Sequence, residues 1–266
     1  MKKALTIAGS DSSGGAGIQA DLKTFSALGV YGMSAITAVT AQNTLGVFGA
    51  EEVALPLIAS QIDAIATDIG ADAVKTGMLC SAAVIEVVAQ KVREYKLAPL
   101  VIDPVMISKS GYALLAPEAV AFLKEKLIPL ATLITPNIPE AEVLSGMQIR
   151  TESEMRVAAK QLCSLGCEAV LIKGGHLPGD AIDVLYDGGS YYIFSKERIA
   201  QKHTHGTGCT LSAAITSLLA RQRTLVEAVG EAKDYLAVAI ARGLAMGGGI
   251  GPVDHFHTFF KEKEND

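Results

Sequence analysis

Apolar and polar positions along the chain follow two rhythms that take turns. Residues 3–8, 73–76, 100–103, 133–135 and 169–173 are short, nearly continuous apolar runs, and each predicts a buried strand. Residues 33–41 are β-rich in the same way. Between these runs, apolar residues recur at helical spacing. Ile18, Leu22 and Phe25 share one face of a helix predicted over 15–28. Ile58, Ile62 and Ile65 do so over 56–69, where Pro56 suits a first helical position. Further helices are predicted over 82–95 and 117–127. Thr151 with Glu154, and Thr224 with Glu227, have capping-box spacing and open helices running to Leu165 and to about Met246. Residues 182–194 read as a hairpin turned at Asp187, Gly188 and Gly189. Strands alternating with helices predict an α/β fold, with a mostly parallel central sheet in a three-layer α/β/α sandwich. No repeat, linker or shift in composition divides the chain, so residues 1–266 are expected to form one domain. In such sheets ligands bind beyond the carboxyl ends of the strands, so the loops after strands are where chemistry is expected.

One stretch breaks the pattern of scattered charges. Residues 24–50 carry no charge, enough length for a membrane span of about 20 residues. Gln42, Asn43 and several Thr and Gly interrupt it, so the expected reading is a helix end followed by a buried central strand. Lys2 and Lys3 precede an apolar run too short for a signal peptide. Half of the chain is hydrophobic, and the net charge is −5, with 23 Lys+Arg against 28 Asp+Glu. An acidic balance argues against a general nucleic-acid binder, which needs a basic stripe. Cys80, Cys163, Cys167 and Cys209 show no CxxC pair and no zinc-finger spacing. No nucleic acid, no membrane and a reducing cytoplasm are therefore expected.

Three loops after predicted strands carry candidate chemistry. The loop from Gly9 to Gly17 precedes a helix, as a phosphate cradle would. Gly9 and Gly14 have Walker A spacing, but Gly15 and Ala16 stand where Lys and Ser/Thr are required. A dinucleotide fingerprint is partly met, yet no acidic residue between Lys23 and Glu51 could hold a ribose. A plain flexible turn explains the glycines equally well. The segment His205-Gly206-Thr207-Gly208-Cys209 opens an apolar helix, so converging N–H groups and the helix dipole would form an anion hole. Cys209 at that helix start is expected to have a lowered pKa and to be partly thiolate. A buried thiol in a tight loop is the alternative. Asn137 and Glu140 can be a helix cap, or an amide and carboxylate organising magnesium. Asp103 and Lys173 each end a strand, and a lysine there needs a partner.

Taken together and in this order, the first glycine loop, Asp103-Pro-Val-Met106, Thr135-Pro-Asn-Ile-Pro-Glu140, Lys173-Gly-Gly-His176 and His205–Cys209 resemble the ribokinase-like superfamily. The stretches 8–25, 35–44 and 74–78 resemble its hydroxymethylpyrimidine/phosphomethylpyrimidine kinases specifically. The resemblance covers about residues 3–255. It implies a three-layer α/β/α ribokinase-like fold and an ATP- and magnesium-dependent kinase. The acceptor implied is the hydroxymethyl group of a 4-amino-2-methylpyrimidine, and then its monophosphate, for thiamine biosynthesis. It further implies a cytoplasmic homodimer. Carried onto this chain, Gly206, Gly208 and Cys209 would hold the migrating phosphoryl group, and Cys209 would help deprotonate or orient the acceptor. Lys173, Thr207 and Asn137 would bind ATP phosphates, and Asp103 and Glu140 would position Mg2+. Gln42, Gly9, Asp21 and Met78 would line the pyrimidine pocket, although Asp21 also suits a helix first turn and Met78 also suits a core.

Three other readings compete. Pyridoxine/pyridoxal kinases share the resemblance, but pyridoxine lacks the exocyclic amino group that an amide at Gln42 could meet. A dinucleotide oxidoreductase lacks its ribose acid. A non-catalytic regulator would not need Lys173, Glu140 and Cys209 together. A polar stretch after Met106, residues 108–112, is a candidate lid.

Overall fold

The computed structural model describes residues 1–108 and 111–259. The candidate lid lies partly outside the described residues, and residues 261–264, a charged tail that the sequence predicts to be solvated, lie wholly outside them. All nine named strands join one sheet in the order β3-β2-β1-β4-β5-β6-β7-β8-β9. The strands are β1 (Lys3–Asp11), β2 (Tyr31–Asn43), β3 (Gly46–Glu52), β4 (Ala73–Thr76), β5 (Leu100–Ile102), β6 (Leu133–Ile134), β7 (Val170–Lys173), β8 (Ala181–Tyr186) and β9 (Tyr191–Lys196). β2, β1, β4, β5, β6 and β7 run parallel, while β3 at one edge and β8 and β9 at the other are antiparallel.

Period-two alternation along each strand sorts the helices onto two faces. Leu5, Ile7, Val74, Leu100, Ile102, Val170 and Ile172 face α2 (Leu55–Ala64), α3 (Ala82–Tyr95), α5 (Ile138–Ser145) and α6 (Glu152–Cys163). Ala4, Ala73, Val101, Leu133 and Leu171 face α1 (Gly17–Ala27), α7 (Thr207–Ala220) and α8 (Leu225–Ala241). The three-layer α/β/α sandwich is thus the observed arrangement. A short α4 (Ala119–Phe122) continues into a wider turn, Leu123–Leu127, where one regular helix is expected.

Other differences from the pattern are local. The charge-free stretch contains β2, which lies second from the edge rather than at the centre, and it leads into β3, which no alternation announces. The first helix starts at Gly17 rather than at residue 15. Glu154 reaches back to the Arg150 N–H and the Thr151 hydroxyl, so Thr151 caps α6 without a reciprocal box. Thr224 and Glu227 form the full box at α8. That helix ends at Ala241, short of Met246. No described helix is long and apolar enough to cross a membrane.

Candidate active site

The carboxyl ends of the parallel strands open on a cleft of about 940 Å³, at the upper end of the roughly 300–1,000 Å³ usual for small-molecule sites. At one end of the cleft, α7 begins. Gly206 caps it with φ +81, a left-handed conformation that glycine adopts freely. A Cβ on Gly206 would collide with the Gly15 carbonyl oxygen, so the two glycine loops lie directly against each other. No side chain caps the first N–H groups of α7. They and the positive end of the helix dipole remain available to an anion.

Beside that helix start stand Lys173 and Asp103. Lys173 Nζ donates to Asp103 Oδ1 at 2.9 Å, and the Thr135 hydroxyl donates to the same oxygen at 3.2 Å. A Cβ on Gly208 would stand 3.5 Å from both Asp103 Oδ2 and Lys173 Nζ. The loop thus comes within ordinary van der Waals reach of this pair. Burial would neutralise both charges, but each holds the other: Lys173 and Lys75 keep the Asp103 carboxyl below its ordinary range, and Asp103 and Glu140 keep Lys173 above its own.

Glu140 and Asn137 form the capping box of α5. The Asn137 side-chain oxygen accepts from the Glu140 N–H at 2.9 Å, and Glu140 Oε2 accepts from the Asn137 N–H at 2.8 Å. The cap is real, and Glu140 also lines the cleft. Burial pushes Glu140 up to about 7, with Lys173 opposing and Asp103 adding to the rise. A divalent cation relieves such a buried carboxylate. Asp103 and Glu140 both line the cleft and are hard oxygen donors of the kind magnesium takes, one or two protein carboxylates with waters and phosphates completing the shell. Among the described residues no three acidic, His or Cys side chains converge as a self-sufficient metal cage. Asp103 and Glu140 thus fit a metal that arrives with phosphates.

Gln42, Gly9 and Met78 line the same cleft. Gln42 ends β2, half-buried, with one end of its amide 3.2 Å from His205 Nε2. Gly9 lies against Met78, whose sulfur would stand 3.1 Å from a Cβ there. Met78 is fixed by the Thr37 hydroxyl, which donates to its carbonyl.

Asp21 is fully buried and accepts from the Thr6 hydroxyl at 2.6 Å and from Lys75 Nζ at 2.7 Å. Both of its oxygens are engaged, so it reaches the cleft wall chiefly through Lys75. Cys209 departs from expectation. Burial pushes its thiol up to about 12, against Lys75 and with Asp21 and Asp103. The helix start does not make it a thiolate, because desolvation outweighs the dipole.

Two site residues escape a reading by motif. Asp11 accepts from Ser13 and from the Ala16 N–H and meets His205 at 2.9 Å. Lys75 is a fully buried lysine on the same wall. The signal for Lys75 is its place in an otherwise apolar strand, since a lysine there needs a buried partner.

The geometry agrees with what the chain is similar to. A family model described as phosphomethylpyrimidine kinase matches residues 11–254. The hydroxymethylpyrimidine/phosphomethylpyrimidine kinase of Bacillus subtilis is 52% identical over 256 residues, 96% of this chain and 94% of that protein. The thiamine biosynthesis bifunctional protein ThiED of Geobacter sulfurreducens is 53% identical over 252 residues, 94% of this chain, but the chain spans only 51% of its length. Among solved structures, the ADP complex of Bacillus subtilis pyridoxal kinase has a TM-score of 0.90 at 45% identity, covering 96% of this chain and 97% of that one.

Proposed function

As a member of the phosphomethylpyrimidine kinase family, to which this chain belongs, the protein is a phosphotransferase of thiamine biosynthesis, and we propose that it uses the same cleft twice. ATP gives its γ-phosphoryl group first to the hydroxymethyl oxygen of 4-amino-5-hydroxymethyl-2-methylpyrimidine. A second transfer, to the resulting monophosphate, yields the diphosphate.

The observation that carries this is the meeting of Gly206, Gly208, Lys173 and Asp103 at the start of α7. Phosphoryl transfer is mainly positioning and charge stabilisation, and this corner supplies both. Free N–H groups of α7 and the Lys173 ammonium face the phosphoryl oxygens, with Thr207 and Asn137 beside them. Magnesium, held by Asp103 and Glu140 directly or through water, supplies further neutralisation of phosphate charge. Gln42, Gly9 and Met78 line the pyrimidine end, with Asp21 behind Lys75. Cys209 stands between the two ends with its thiol protonated, so it orients the acceptor hydroxyl rather than deprotonating it. The whole described chain serves this one activity, as a single domain in the cytoplasm. A second copy covering the exposed Leu45 and Phe48 of the β2–β3 hairpin would make it a homodimer.

The pyridoxal kinase likeness favours a second reading, phosphorylation of pyridoxal or pyridoxine alongside the pyrimidine. One polar contact discriminates such ligands weakly when the pocket tolerates both. ADP release measured with each candidate acceptor, and product masses from the pyrimidine alcohol and then its phosphate, test the reading. Release with the pyrimidine and appearance of the diphosphate are expected. Release with pyridoxal alone would replace the first reading by the second.

A further inference from the structure

Two neighbours decide which way the Gln42 amide faces. As placed, the Gln42 amide nitrogen lies 3.2 Å from His205 Nε2 and the amide oxygen 3.2 Å from Thr40 Oγ1; the two ends are alike in shape, so their partners decide which is which. Thr40 has a single hydroxyl proton and donates it to the Ser10 carbonyl at 3.0 Å. Toward Gln42 it can therefore only accept. His205 Nε2 lies 2.9 Å from Asp11 Oδ2. Burial would raise the Asp11 carboxyl, but bonds from His205 and Ser13 bring it down to about 2, so Asp11 is an anion that only accepts. The proton between the two belongs to Nε2. A protonated Nε2 has no lone pair with which to accept from Gln42, and its one N–H, held by Asp11, can only be shared with an amide oxygen. Only one orientation satisfies both contacts: Oε1 toward His205 and Nε2 toward Thr40.

The imidazole has little freedom to offer anything else. It lies against the first glycine loop, where a Cβ on Gly15 would stand 2.5 Å from His205 Cδ2 and 3.1 Å from Pro252 Cβ. Its backbone is tied on both sides, the His205 N–H donating to Gly251 at 3.0 Å and the Val253 N–H donating to His205 at 3.2 Å.

We propose that His205 is a positioning residue that sets acceptor specificity. Asp11 fixes the proton on Nε2, and that N–H, shared between Asp11 and Gln42, turns the amide oxygen toward it. So held, Gln42 has one N–H and one Oε1 lone pair left for a ligand, the complement of an aminopyrimidine edge. A freely turning amide would serve a ring with the reversed pattern equally well. The proposal rests on the reading above that Gln42 meets the pyrimidine.

Steady-state kinetics of His205→Phe, His205→Gln, Gln42→Ala and the His205→Phe/Gln42→Ala double variant test it. His205→Phe keeps the ring and loses the donor. It should raise the pyrimidine KM about tenfold, the equivalent of ~1.4 kcal/mol, with kcat and the ATP KM within about twofold. His205→Gln places an amide nitrogen where Nε2 stood and should recover most of the loss. In the Gln42→Ala background, His205→Phe should cost nothing further, because both act through one contact. A full additional loss there, or a loss confined to kcat or ATP, overturns the proposal alone. A normal pyrimidine KM for Gln42→Ala removes Gln42 from the site and takes down both the reading and the proposal. Long-range 1H–15N spectra of histidine-labelled wild-type protein need no variant to fold. Nε2 of His205 should carry a proton, and a bare Nε2 overturns the assignment.

Discussion

Lys173 stands at the end of a strand with its charge committed to Asp103, and substitution there has two separable effects. On the proposed reading Lys173→Met removes a cation from the phosphates, and it leaves the buried Asp103 without its ion-pair partner, with only hydroxyl bonds and the more distant Lys75 charge. Loss of one such electrostatic group should lower kcat by about 100- to 1,000-fold, and the orphaned charge should lower stability by about 3–5 kcal/mol in urea titrations. Lys173→Met with Asp103→Leu should regain most of the stability and none of the activity. Cys209 makes the opposite kind of prediction. With its thiol pushed up to about 12, the unliganded protein should be alkylated at Cys209 at least about tenfold more slowly near pH 8 than a free thiol. Mass-mapped iodoacetamide labelling reads this directly, and rapid labelling would restore the thiolate. That Lys173 and Glu140 line one cleft was legible from short motifs at strand ends, and Gln42 from the resemblance of residues 35–44. Asp11 and Lys75 were not, because their partners His205 and Asp21 come from distant parts of the chain. Local spacing carries no trace of such a pairing.

On the proposed reading, the start of α7 would concentrate the phosphate chemistry in one element. Gly206→Ala would place a methyl group against the Gly15 carbonyl and force a side chain into φ +81. Strain of about 1–3 kcal/mol is expected, and the loop must shift to relieve it. The melting temperature and kcat should fall together, more than for Gly189→Ala in the exposed β8–β9 turn. Elements with strong local signals were legible in the same way. α3 matches its predicted span, and its Ser81 cap accepts from the Val84 N–H. β3 was not, since its half-exposed edge position removes the alternation that marks a buried strand. α8 stops early for a tertiary reason. A Cβ on Gly243 would strike the His203 carbonyl, so the chain there is shaped by the segment entering α7 rather than by its own apolar spacing.

Across the whole molecule, sorting of the helices onto two faces follows from alternation within strands, but the strand order does not. Placing β1 between β2 and β4 is a matter of crossovers that no local pattern encodes. Acid stability is a property at this scale. His255 is buried with Nε2 3.1 Å from the Thr210 hydroxyl, which itself donates to Gly206. Burial, with Lys23 and His205 adding, pushes it down to about 4. Its folded pKa lies below its unfolded value of about 6.5, so its contribution is complete above that pH and is lost as pH falls through about 4. Chemical unfolding at pH 7 and pH 4.5 should show a loss from this group that approaches about 3 kcal/mol at still lower pH. His255→Asn should flatten that part of the profile, and an unchanged slope would locate the acid sensitivity elsewhere.

The contact between Gly15 and Gly206 also bears on how the enzyme can be altered. Each loop fills the space that a side chain on the other would need. Libraries that diversify one loop while freezing the other should return mostly inactive clones, whatever new acceptor is sought. Productive variation has to be drawn from both loops at once, so positions far apart in the gene are best randomised as one unit.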